Sequence, residues 1–254
     1  MHLDVADLRD FYATPLGQVT RSILVRRIRD RWRGGVGETV VGLGFATPYL
    51  NALRGDAERA AALMPAHQGA LIWPSVGKVV SALVDDSALP LRDNSVDRLL
   101  VAHCLESTDR EAPLLRELWR VLKPEGSLVI VVPNRRGIWA HIDTTPFGNG
   151  RPYSRSQIDR LLRQSLFTPT EWMSALHVPP FNRSMLLRSA MAWERTGSTV
   201  SPAFGGVLVV AARKEMVVPV SGKGARIRAI RDLVTIRRED VKNEQTRGRD
   251  RLCA

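Results

Sequence analysis

Residues 114–134 read LLRELWRVLKPEGSLVIVVPN. Apolar residues at three- and four-residue steps predict a helix over 110–122. Lys123–Gly126, KPEG, then predicts a turn. The SLVIVVP run that follows has no polar face, so it predicts a strand buried on both sides, as in a parallel sheet. A helix feeding straight into such a strand is half of a βαβ unit.

Working outward, the same alternation recurs. Upstream, ETVVGLG predicts a buried strand ending in a glycine turn, followed by a helix around Tyr49–Leu53. An apolar stretch spans 57–64, and strands are predicted over Val79–Val84 and Val96–His103. Downstream, a helix over 154–164 is expected to start on Ser154 as its cap, and GGVLVVAARK predicts a last strand. Strands alternating with helices predict an α/β fold, a doubly wound and mostly parallel sheet with helices on both faces. Residues 5–33 carry apolar side chains at helical spacing and predict two helices divided near Pro15 and Gly17.

Composition bounds the function classes. The 254 residues and 44% apolar content allow one large domain with an appendage. No apolar run reaches the ~18 residues of a membrane span, and MHLDVADLRD does not read as a signal peptide. A cytoplasmic protein is expected. Two cysteines, Cys104 and Cys253, build neither a disulfide framework nor a metal cluster. The formal charge of +11 concentrates in 21–33, with six arginines against one aspartate, and in 216–254, with ten Lys or Arg against five acids. Such segments suit a protein or nucleic-acid partner, or simply a solvated surface, and no aromatic reader motif accompanies them.

Three segments in order, VVGLGFATPYL (40–50), LVDDSALPLRDNSVDRLLVAHCLE (83–106) and LLRELWRVLKPEGSLVIVVPN, resemble the class I S-adenosylmethionine-dependent methyltransferases of the small-molecule, type 11-like branch. The resemblance extends through YSRSQIDRLLRQSLFTPTEW (153–172), similar to the family's helix and sixth strand, and GGVLVVAARKE (205–215), similar to its closing antiparallel strand. Past Lys214 the periodicity weakens, and 216–254 reads as a basic, flexible tail with a short helix near 227–236. The resemblance implies a Rossmann-like sheet of seven strands over residues 35–215 and an N-terminal helical cap over 1–34. It also implies S-adenosylmethionine as cofactor and a small-molecule acceptor.

The resemblance assigns cofactor contacts to Gly42, Leu43, Gly44 and Thr47 at the first turn, to Asp85, Asp86 and Ser87 after the third strand, and to His103 after the fourth. Two family acids are missing: Val40 stands where the first motif has one, and Met64 and Pro65 stand where the ribose-binding acid belongs. Gln68 is the nearest polar candidate there, and with Pro65 and Thr47 it could form a neutral polar collar. His103 is a candidate general base, and Tyr153 is a second catalytic candidate. Glu106 either binds an amine or caps the next helix. Tyr12 either closes over the cofactor or packs with Phe11. Arg135, Arg136, His141, Arg151 and Tyr153, in the loop after the fifth strand, form a candidate pocket for an anionic acceptor. No catalytic triad, metal-ligand spacing or Walker loop occurs. The alternative reading is a non-catalytic scaffold that binds through its basic segments.

Overall fold

The computed structural model describes residues 3–32, 37–55, 57–181, 189–200 and 202–215. The expected basic tail, with its helix near 227–236, lies outside the described residues. Seven strands form one sheet in the order β3-β2-β1-β4-β5-β7-β6. They are β1 (Thr39–Gly44), β2 (Arg59–Pro65), β3 (Ser81–Val84), β4 (Val96–Ala102), β5 (Leu122–Pro133), β6 (Phe167–Ala175) and β7 (Val207–Lys214). The first five are parallel to one another, while β7 runs antiparallel to β5 and β6. This is the doubly wound, mostly parallel seven-stranded sheet that the sequence predicts.

Alternation along the strands builds two cores. Val40, Leu100, Ala102, Val129, Val131 and Val209 face α1 (Val5–Ala13), α2 (Pro15–Arg31) and α3 (Thr47–Leu53). Val41, Leu43, Leu99, Val101, Ile130 and Val210 face α4 (Glu111–Val121) and α5 (Arg155–Gln164). A sixth helix, α6 (Ala190–Val200), follows β6. Leu128 to Val132 are essentially inaccessible, as expected of a strand covered on both faces.

Local chemistry sets the helix ends. Thr14 is extended, its hydroxyl accepts from Gly17 N at 3.0 Å, and Pro15 opens α2, so the predicted break falls at a cap and an N1 proline. Ser154 and Gln157 form a full capping box on α5. Where a simple turn is expected at Lys123–Gly126, the sheet continues through it: Leu122 already pairs with Val96, the register shifts, and Glu125 takes up the slack at φ 62°. The arginines of α2 are in part structural. Arg21 Nε donates to Pro48 O, Arg27 pairs with the buried Glu194, and Arg31 pairs with Glu171.

Candidate functional site

The carboxyl ends of β1 and β4 meet at the glycine turn. Gly44 has φ +81°, opposite Ala102 in the parallel register, and a side chain there would stand 2.7 Å from Cys104 Cβ and closer still to the Ala102 carbonyl oxygen. At Gly42 a Cβ would meet Leu50 and Ala46. Both glycines are therefore required by the protein's own packing. Leu43 points into the α4 side of the core and Thr47 is buried at the start of α3.

Immediately beyond β4, His103 adopts φ +52°, a region that non-glycine residues seldom occupy and that clusters at functional sites. Its ring is 4% exposed. Nε2 lies 2.8 Å from the Tyr12 hydroxyl, which in turn bonds the Tyr49 hydroxyl. Nδ1 lies 3.5 Å from Glu106 Oε1. A buried line of polar groups thus runs Tyr49, Tyr12, His103, Glu106. Both Glu106 oxygens are buried with no hydrogen-bond partner among the described residues, an arrangement that costs stability. Glu106 does not cap the next helix, since α4 begins after Arg110 with no side-chain cap.

Aromatic rings enclose this line. Tyr12 stacks on Phe45 with centroids 5.7 Å apart, and Phe147 approaches His103 at 4.8 Å. From the turn after β2, Gln68 Nε2 donates to the His103 carbonyl and lies 3.0 Å from Ser107 Oγ, while Gln68 O accepts from Val5 N at 2.8 Å. A cavity bounded by Leu3, Leu8, Gln68, His103, Glu106 and Ser107 has about 20 Å³, room for a water molecule.

The other expected site residues are placed elsewhere. Asp85 is exposed, and Ser87 donates to its carboxylate through both hydroxyl and backbone; those bonds hold its pKa below the ordinary carboxylate range. Asp86 is the buried acid of the pair, with one oxygen unpartnered among the described residues. Tyr153 belongs to the opposite core, where its hydroxyl donates to Glu111 at 2.6 Å and lies 3.0 Å from Leu105 O. The loop after β5 does fold over the site, but with Trp139 and Phe147; Arg135, Arg136, His141 and Arg151 are exposed. Sequence reading missed Tyr49 and the pairing of Glu106 with His103, whose only signal was position at a strand end.

Burial raises the titration of all three tyrosines of the chain, Tyr12, Tyr49 and Tyr153, above the ordinary phenol value. A phenol that keeps its proton more tightly when folded contributes stability that is complete below the unfolded value of about 10 and is lost as pH rises toward the folded value. Phenolate absorbance should therefore stay flat through about pH 10–11 and then rise in one step together with loss of circular dichroism. A gradual rise near pH 10 with native circular dichroism would show instead that water reaches the rings.

The methyltransferase domain family (Methyltransf_11) matches residues 35–130 by sequence. No curated protein sequence is significantly similar to the chain. Among solved structures, a SAM-dependent methyltransferase from Thermotoga maritima superimposes with a TM-score of 0.58 at 16% identity, covering 83% of this chain and 96% of that one. A SAM-dependent methyltransferase from Archaeoglobus fulgidus gives 0.57 at 16% identity, covering 81% and 96%. Geranyl diphosphate C-methyltransferase from Streptomyces coelicolor, in complex with Mg2+, geranyl diphosphate and S-adenosyl-L-homocysteine, gives 0.50 at 15% identity, covering 75% and 78%. At these identities the likeness speaks for the fold.

S-adenosylmethionine is the cofactor of this family and fold. It does not fit the cleft as it is folded here. Sites for molecules of that size run to ~300–1,000 Å³, against the cavity of about 20 Å³ left between α1, Gln68 and His103. Neither turn glycine faces an empty cradle, and Gln68 spends its carboxamide on His103 and Ser107. Residues 35–130 thus match the methyltransferase domain family by sequence, and the seven-stranded sheet that completes them has the Rossmann-like fold of the SAM-dependent methyltransferases.

Proposed function

We propose that the chain is a methyltransferase for a small-molecule acceptor and that its cofactor cleft opens when α1 moves aside. The buried His103–Glu106 pair at the end of β4 carries this reading. A carboxylate facing Nδ1 favours a proton on that nitrogen and leaves Nε2 to accept one. In the closed cleft Nε2 faces the Tyr12 hydroxyl at 2.8 Å. With α1 displaced, an acceptor hydroxyl or amine takes that place, His103 receives its proton at Nε2, and Glu106 balances the charge.

A second reading has its own support: a binding protein on a methyltransferase fold, engaging a protein or nucleic acid through its basic segments. The closed cleft favours it, and so do the neutral Val40 and Pro65 at positions where the family carries acids. Titration calorimetry of the full chain with S-adenosylmethionine and S-adenosylhomocysteine separates the two. Saturable binding supports the enzyme. Absence of binding at millimolar ligand, both in the native chain and in a variant with α1 loosened, would leave the binding protein.

A further inference from the structure

A second concavity lies between α5 and the edge strand β6. It encloses about 870 Å³, and its lining includes Arg136, Arg155 and Arg163 together with Pro169, Trp172 and Leu208. Asp159 is the carboxylate among the lining residues, and it pairs with Arg163 at 2.9 Å. Arg136 and Arg155 have no carboxylate partner among the described residues. The groove therefore keeps two uncompensated guanidinium charges.

One of the two cations is held in place. The Arg155 guanidinium sits over the Trp172 ring, 5.0 Å from its centroid, so less side-chain freedom remains to be lost on binding. Arg136 follows Asn134, whose Oδ1 accepts from the Arg136 N–H at 3.2 Å. Ser154 and Ser156 add hydroxyls at the start of α5, the positive end of that helix. Beside these charges the groove has an apolar side, and its volume far exceeds what a bare inorganic anion fills.

We propose that this groove binds a phosphate monoester carried on an apolar body. A monoester bears about −1.5 to −2 charge at neutral pH, which matches the two free guanidinium groups, and its oxygens suit their forked donors. The site is separate from the cleft at His103 and does not depend on the methyltransferase reading.

Phenyl phosphate, inorganic phosphate and phenol, titrated calorimetrically into the full chain at low salt, test the proposal. Phenyl phosphate should bind saturably and at least about tenfold more tightly than inorganic phosphate, and phenol should give no saturable heat. Arg136→Gln and Arg155→Gln should each weaken phenyl phosphate by about tenfold. Both arginines are exposed, so both variants should fold, with unchanged circular dichroism. The proposal is overturned if phenyl phosphate does not bind at millimolar concentration, if inorganic phosphate binds equally well, or if the arginine variants bind as the native chain does.

Discussion

Gly44→Val is expected to prevent stable folding. The backbone at this position has φ +81°, which L-residues reach at a cost of ~1–2 kcal/mol and β-branched ones at more. Sterics add to that cost. The new Cβ would fall 2.7 Å from Cys104 Cβ and closer still to the Ala102 carbonyl, and neither neighbour can retreat. Ala102 ends β4, which is hydrogen-bonded between β1 and β5 in the middle of the sheet, and Cys104 is fully buried. Overpacking of a rigid site together with backbone strain should cost more than about 4 kcal/mol. For a chain of this size each kcal/mol moves the melting point by roughly 2–4 °C, so thermal scans should show a fall of about 10 °C or more, or no soluble protein. Gly55→Ala is the matched control, since nothing lies within 4 Å of its added methyl and it should melt within a degree or two of the native chain. A Gly44→Val variant of native melting point would show that the β1 and β4 ends part more easily than this packing allows.

That glycine also marks where sequence and structure part company. A G-x-G turn after a buried strand reads as backbone kept bare for a ligand. Here the bare backbone is approached by β4 and by Cys104. The sheet was legible because its signals are local: the apolar run of β5, the capping box of α5 and the proline that opens α2 each act within a few residues. The site was less so, because Tyr12 meets His103 across 91 positions and Gln68 reaches Ser107 across 39. Contacts at that separation depend on how α1 docks, which no periodicity encodes. In the sequence Tyr153 stands in a loop beside the arginines of a candidate acceptor pocket, yet the parallel bridge between Asn134 and Tyr153 sets it over the α4 side, where Glu111 accepts from its hydroxyl.

Because docking of α1 closes the cleft, loosening that helix should raise cofactor affinity while lowering stability. Leu8 is the position to change. It is 1% exposed, it lies one turn from Tyr12 on the same helix, and it borders the residual cavity beside Gln68 and His103. Leu8→Ala removes buried apolar contact that α1 makes only when docked, and truncations of this kind cost about 2–5 kcal/mol. If α1 opens as a local unit, that energy falls on the closed state, and each 1.4 kcal/mol multiplies the open population about tenfold. Apparent affinity scales with the open fraction until opening is complete. S-adenosylhomocysteine should therefore bind Leu8→Ala at least about tenfold more tightly than the native chain, even though the variant melts at a lower temperature. Tyr12→Phe should move affinity in the same direction by less, since it removes the hydroxyl that joins Tyr49 to His103 but keeps the ring stacked on Phe45. Lower melting points with unchanged affinity in both variants would mean that α1 is simply part of the core. Access to the turn at Gly42–Gly44 would then have to come from the Gln68 side, the other segment that bridges to His103.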